Sequence, residues 1–139
     1  MFLQPKKIKY KKTKKGKLRQ LEFKTSYIKF GTIGLKTVKS GMISARQIEA
    51  SRQAISRKIK KKGKIWVRVF PNLPITAKPI SARMGKGKGA LSHWGARVRG
   101  GTIIFEICGV KDPNVIKNAL RTGGAKLPLQ TKIIYFKIF

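Results

Sequence analysis

Few side chains in this 139-residue chain could do covalent chemistry. There is one histidine, His93, and one cysteine, Cys108, with Glu106 the only carboxylate near them in sequence. A cysteine–histidine nucleophilic pair would need the fold to bring His93 and Cys108 together. The four acids, Glu22, Glu49, Glu106 and Asp112, are scattered. They suggest neither paired carboxylates for acid–base work nor a metal site, since zinc wants clustered Cys and His ligands. Cys108 follows an apolar run and is read as a small buried hydrophobe. His93 is read as a polar strand residue, or at most a nucleic-acid contact. The chain is therefore read as a non-enzyme, with no catalytic residue, no metal, no cofactor and no small-molecule substrate.

A second kind of chemistry is phosphate recognition. Arg83-Met84-Gly85-Lys86-Gly87-Lys88-Gly89 is a basic loop in which glycines let the backbone approach a ligand and expose its N–H groups. A nucleotide-phosphate loop would need Gly-Lys followed by Ser or Thr to hold magnesium, but Gly89 follows Lys88 here. That reading is rejected. What stands is a tip entering a crowded phosphate site, with a merely flexible hairpin tip as the bland alternative.

The charge points the same way. Lys and Arg number 34 against 4 Asp and Glu, a formal net charge of +30. Such a chain repels itself unless a polyanion supplies the missing charge, and nucleic acid does so with counterion release. An anionic membrane is a distant second, because no basic helix carries a strong aromatic face. One cysteine closes no disulfide within the chain, and no apolar stretch is long enough to span a bilayer. The 41% apolar share excludes full disorder. Lysine outnumbers arginine, and isoleucine is abundant, which reads as codon bias of an AT-rich genome.

These residues need elements to position them. Residues 1–20 read as an extended basic arm, carrying Lys6, Lys7, Lys9, Lys11, Lys12, Lys14, Lys15, Lys17 and Arg19 and ordered only on a polyanion. A mitochondrial transit peptide is the competing reading, but such peptides are rich in Arg and Ser. Residues 21–139 read as one domain that includes a loop at 80–91. Residues 26–39, interrupted by Gly31 and Gly34, predict two short strands or one kinked one. Residues 44–62 predict a helix, with Ser44 and Gln47 as a capping box and Gly63 just past its end. Its apolar stripe is Ala45, Ile48, Ile55 and Ile59. Arg46, Arg52, Arg57, Lys60, Lys61 and Lys62, followed by Lys64, lie largely off that stripe and are assigned to nucleic-acid phosphates, as are Lys36 and Arg68. A solvated face is the alternative.

Residues 64–70 predict a strand with Ile65, Val67 and Val69 on one side and Trp66, Arg68 and Phe70 on the other. Trp66 is read as core, with base stacking as the alternative. Pro71, Pro74 and Pro79 predict extended or turning chain after it. Residues 92–99 and 102–107 predict a hairpin across Gly100-Gly101. Residues 112–122 predict a second helix, capped by Asp112, opened by Pro113 and stopped by Gly123-Gly124. Residues 130–138 predict a closing strand. Two helices with several mixed strands indicate an α+β two-layer single domain.

Four segments also carry a family resemblance. They are Leu3-Gln4-Pro5-Lys6-Lys7 through Lys15-Gly16-Lys17; Ala45-Arg46-Gln47-Ile48-Glu49-Ala50; Gly63-Lys64-Ile65-Trp66-Val67-Arg68-Val69-Phe70-Pro71 with Pro74-Ile75-Thr76 and Lys78-Pro79; and Arg83 to Gly89 with Trp94. In order and spacing, from residue 3 to about 132, the chain resembles the bacterial-type large-subunit ribosomal protein L-sixteen family in its organelle-encoded form. The resemblance implies a fold of the α/β-hammerhead type. It implies large-subunit rRNA, tRNA and neighbouring large-subunit ribosomal proteins as partners. It implies a place near the tRNA A site and a part in subunit assembly and tRNA positioning. Arg83, Met84, Gly85, Lys86, Gly87, Lys88 and Gly89 take the role of the loop that reaches towards the peptidyl transferase centre and tRNA. In some members the arginine matching Arg83 is hydroxylated.

The chain departs from the family pattern before Trp94, where Ser92 and His93 replace an acid and a tyrosine. Its acid content is lower than usual, and the tail 135–139 has no firm counterpart. The match begins at Leu3, leaving no room for a cleaved leader. With the Lys and Ile bias, this gives a mitochondrial ribosome as the expected location, with a plastid or a bacterial cytoplasm as alternatives. A general nucleic-acid compactor of an organelle is the competing function.

Overall fold

Every strand pairing in the computed structural model is antiparallel. The structure describes residues 3–18, 20–60 and 62–136. Two of the assigned phosphate ligands, Arg19 and Lys61, and the end of the expected closing strand, 137–138, lie outside the described residues. In chain order the elements are β1 (Ile33–Thr37), β2 (Gly41–Ser44), α1 (Ala45–Lys58), β3 (Lys64–Val67), β4 (Leu73–Ala77), β5 (Ala90–Val98), β6 (Ile103–Cys108), α2 (Pro113–Gly124) and β7 (Thr131–Tyr135). One sheet has the order β3-β6-β1-β7 and the other β2-β5-β4. The α+β expectation holds.

Alternation builds the larger sheet. In β3, Ile65 and Val67 pack on the core, paired with Ile107 and Phe105 of β6. Ile33 and Leu35 of β1 sit across from the same two residues. Phe105 and Ile107 are fully buried, and the two helices close this side through Ile48, Ile55, Ile116 and Leu120. Period-2 patterning therefore leaves Lys64, Trp66 and Arg68 on the opposite face. Trp66 is not core as expected. It is half-buried on the outer face of the sheet, its ring stacked on Phe30.

Both helices start where capping chemistry dictates. The Ser44 side chain accepts from the Gln47 N–H while the Gln47 side chain accepts from the Ser44 N–H, a closed capping box. Asp112 accepts from the Asn114 N–H, with Pro113 at the first helical position. The ends differ from expectation. α1 stops at Lys58, with Ile59 as its cap and Lys60 in the left-handed conformation at φ 51°, so Gly63 is not its terminator. Ile59 is buried, which turns the chain towards the core before the lysine run can continue the helix. Gly123 and Gly124 are the last two residues of α2, with Ala125 as its cap, rather than residues beyond its end. A Cβ on Gly123 would come within 2.5 Å of Ile55 Cγ1, and Ser51 Oγ donates to the Gly123 carbonyl at 2.8 Å. Gly123 is there so that two helices can touch.

The expected hairpin across Gly100-Gly101 does not form, because β5 and β6 belong to different sheets. The turn itself closes, Thr102 N–H reaching Arg99 O at 3.2 Å. Its other groups go to the end of β1: the one hydroxyl proton of Thr37 is shared between Arg99 O and Thr102 O, at 2.9 and 3.1 Å from Oγ1, and Gly101 N–H donates to Thr37 O. The chain crosses between sheets beside the β1–β2 connection. The hairpin that exists is β4–β5, with β4 the edge strand that tolerates Pro74. Strand β2, which pairs with β5, was not expected at all.

Gly123→Val should force the helices apart and cost about 1–3 kcal/mol, as overpacking does. Urea unfolding of the full chain measures it, and an unchanged midpoint would contradict the close-approach role.

Candidate nucleic-acid interface

The basic loop forms the tip of the β4–β5 hairpin. Every residue from Arg83 to Lys88 is exposed, Met84 at 95%. Gly85, Lys86 and Gly87 are all left-handed, at φ 89°, 53° and 87°. For Lys86 this backbone is uncommon, and two flanking glycines make the run of three attainable. A Cβ at Gly85 or Gly87 would meet nothing within 4 Å, so these glycines serve backbone shape rather than packing. At the base, the register shifts between Ile75 and Thr76, leaving Ser92 as the extra residue of a bulge. At this bulge Ser92 Oγ and His93 Nδ1 lie 3.2 Å apart. His93 and Trp94 also face a cleft of about 670 Å³ shared with Leu3, Arg46 and Glu49.

Among its described residues the arm has no helix or strand, and Lys6, Lys7, Lys9, Lys11, Lys12, Lys14, Lys15 and Lys17 are all exposed. It nevertheless touches the body. Leu3 is buried in the core cluster. Lys12 Nζ donates to Lys88 O at 2.7 Å, Lys88 Nζ donates back to Thr13 O at 2.5 Å, and Arg97 reaches Lys15 O at 3.2 Å. Arm and loop thus form one continuous cationic surface, joined through carbonyl oxygens rather than acids. The sequence did not single out Arg97.

The remaining assigned cations divide. Arg46, Arg57, Lys60, Lys62 and Lys64 are exposed around α1 and the entry to β3. Lys36 is half-buried and donates to Ser26 O at 3.1 Å. Arg52 is paired with Glu49 at 2.7 Å, and its guanidinium holds the Glu49 carboxyl below the ordinary value. Arg68 is paired with Glu106. Both arginines neutralise the chain's own acids first.

Glu106 is the centre of the outer face. It lies in β6 with no exposed surface. Its carboxylate accepts the N–H groups of Phe30 at 2.6 Å, Gly31 at 2.9 Å and Lys29 at 3.3 Å, and the Arg68 guanidinium. Burial pushes this carboxyl up, but the donors of Phe30, Gly31, Arg68 and Lys29 together outweigh that and hold it below the ordinary 4.5. Gly31 allows the approach, since a Cβ there would sit 2.9 Å from Glu106 Cβ. The result is that residues 29–31, an irregular segment, are fixed on the sheet, with Phe30 beside Trp66. One signal in the sequence marks this site: a lone acid inside the apolar run Ile103-Ile104-Phe105-Glu106-Ile107.

Cys108 ends β6 in one sheet, half-buried rather than buried, while His93 lies in β5 of the other. Among the described residues no group of three or more His, Cys, Asp or Glu could hold a metal ion, and no helix is long and apolar enough to cross a membrane.

With this geometry in hand, comparison with known proteins is specific. Residues 5–134 match the family Ribosomal protein L16p/L10e. The large ribosomal subunit protein uL16 of Caulobacter vibrioides is 48% identical over 133 residues, covering 96% of this chain and 92% of that protein. Those of Bartonella quintana and Methylorubrum extorquens are each 49% identical, covering 96% of this chain and 96% of their own.

Because Glu106 titrates lower in the folded chain than in the unfolded one, its contribution is complete above the ordinary glutamate value. It is lost as pH falls through the folded value. Glu106→Gln should cost about 3–5 kcal/mol at neutral pH, because Arg68 loses its partner. It should also flatten the acid limb of stability against pH. Chemical denaturation from neutral to acid pH checks both, and an unchanged acid limb would contradict this assignment.

Proposed function

Because the chain belongs to the Ribosomal protein L16p/L10e family, we propose that it is a structural constituent of the large ribosomal subunit, working in translation by binding rRNA. The match over residues 5–134 carries this reading, and the surface chemistry fits it. The arm residues Lys6 to Lys17 and the α1-end cations contact rRNA phosphates. The loop Arg83 to Gly89 reaches towards tRNA and the peptidyl transferase centre, and neighbouring ribosomal proteins complete the setting. We divide the chain accordingly into an arm, 1–20, and a body, 21–139. The chain itself supplies no catalytic group to this role. It lends charge and shape to folded RNA.

The relatives named above are bacterial. A mitochondrial ribosome as the location rests instead on the Lys and Ile bias and the low acid content. A high-salt gradient of lysate carrying the tagged chain, with its RNA sequenced, tests function and location together. Co-migration with large-subunit rRNA is expected, and the rRNA sequence identifies the compartment. Migration with DNA would put a general nucleic-acid compactor in its place.

Two variants separate the surfaces. Lys86→Ala/Lys88→Ala should spare incorporation into particles while lowering translation, whereas deleting residues 1–19 should impair stable incorporation. Affinity of the full chain for rRNA should fall with salt at a log–log slope of about −0.7 to −0.9 per phosphate contacted. Loss of incorporation in the loop variant, with no separate translation defect, would contradict the division of labour.

A further inference from the structure

The outer face of the four-stranded sheet carries a feature that charge alone does not require. Phe30 and Trp66 lie with ring centroids 6.2 Å apart and planes 21° from parallel. Phe30 is 50% exposed, a large apolar ring left in water. Three cations surround the pair: Lys64 Nζ is 5.2 Å from the Trp66 ring centre, and Lys29 Nζ and Arg68 Cζ are 5.8 and 5.2 Å from that of Phe30. Among the described residues the one carboxylate at the site, Glu106, is buried and occupied by Arg68 and the amides beneath Phe30.

We infer that Phe30 and Trp66 form a stacking platform for one unpaired RNA base, with Lys29 and Lys64 taking the phosphate beside it. The inference rests on the rRNA-binding reading above and names a site within it. Three observations carry it. Aromatic faces bind any base, because every base has a π-face. The platform is held ready: the Phe30 N–H donates to Glu106 at 2.6 Å, and Arg68 is tied to the same carboxylate, so little ordering is left to do on binding. The two lysines are mobile by comparison, compact charges on flexible stems that can exchange a ring face for a phosphate. An apolar or aromatic side chain of a neighbouring protein would also fit the rings, but it would bring nothing for the lysines. A nucleotide satisfies rings and cations together.

The test uses the full chain with Trp94→Phe, which leaves Trp66 as the only indole of the 2 tryptophans. A short oligouridylate and an abasic strand of equal length are titrated at matched salt while Trp66 fluorescence is followed. The base-bearing strand should quench Trp66 and bind about 5- to 100-fold tighter than the abasic one. Phe30→Leu, which keeps the apolar volume and removes one of the two π-faces, should narrow the gap between the two affinities without changing the salt slope of either. Equal affinities with no quenching in the unsubstituted platform would overturn the inference. If salt-dependent binding then persists, the rRNA reading stands and only the platform falls. If neither strand binds, both fall. In the assembled particle, ultraviolet crosslinking should join the Phe30 peptide to RNA, and a crosslink to a protein neighbour instead would also overturn it.

Discussion

A chain with a net charge of +30 can keep a core only if its cations stay out of it and its few acids sit where they do most. The fold meets both conditions. Among the described residues the central cluster is aliphatic, with Phe105 its one aromatic ring, and no lysine or arginine is buried. Each of the four acids has a structural role. Glu49 holds Arg52, Glu22 lies 3.9 Å from Arg99, Asp112 caps α2, and Glu106 anchors residues 29–31. Four acids, three of them paired with arginines and Asp112 exposed at a helix start, offset little of the outer charge, and a polyanion from outside relieves the self-repulsion that remains. Stability of the body and affinity for RNA then answer to one electrostatic constraint.

That constraint explains how the binding surfaces are built. Lysine-rich segments gain nothing from pairing with each other, so they are positioned through backbone groups. Arm and loop meet through lysine-to-carbonyl bonds between Lys12, Thr13 and Lys88. The loop takes its shape from left-handed backbone at 85–87 rather than from side-chain packing, and it projects from an edge hairpin whose other end is tied to the core. On the outer sheet face the anchoring is stronger, because a buried carboxylate collects three amides and a guanidinium. The loop is held by lysine-to-carbonyl bonds at an exposed surface, whereas the Phe30–Trp66 face rests on a buried carboxylate.

Much of this was legible in the sequence where a local rule decides. The capping box at Ser44 and Gln47, Asp112-Pro113 opening α2, the alternation in β3 and the exposed basic loop all depend on neighbours within a few residues. What was illegible depends on long-range partners. Gly123 looks like a helix stop until Ile55 and Ser51 are placed against it. Gly100-Gly101 looks like a hairpin turn until Thr37 claims its groups. Trp66 has the composition of a core residue, and only the pairing of Ile65 with Ile107 shows which side of the sheet faces the helices. β2, Gly-Met-Ile-Ser, has no apolar–polar alternation to announce it. The family resemblance was readable because it rests on order and spacing, which survive without knowledge of contacts. The roles of Arg52 and Arg68 were not, because a cation's partner cannot be read from the cation.

Glu106 shows why an acid persists at the middle of an apolar strand in so basic a chain. A well-packed apolar residue there could match or exceed the pair in stability, since burying charges costs desolvation that pairing offsets only in part. It could not give the amides of Lys29, Phe30 and Gly31 an acceptor, and buried donors without partners are expensive. Those amides would have to turn to water, and residues 29–31 would leave the sheet with Phe30 among them. Arg68 would lose the partner that holds it over the Phe30 ring. The carboxylate is therefore better understood as fixing one irregular segment in one place than as adding net stability. What that segment presents is an aromatic ring ringed by cations, on the face of the sheet that the helices do not cover.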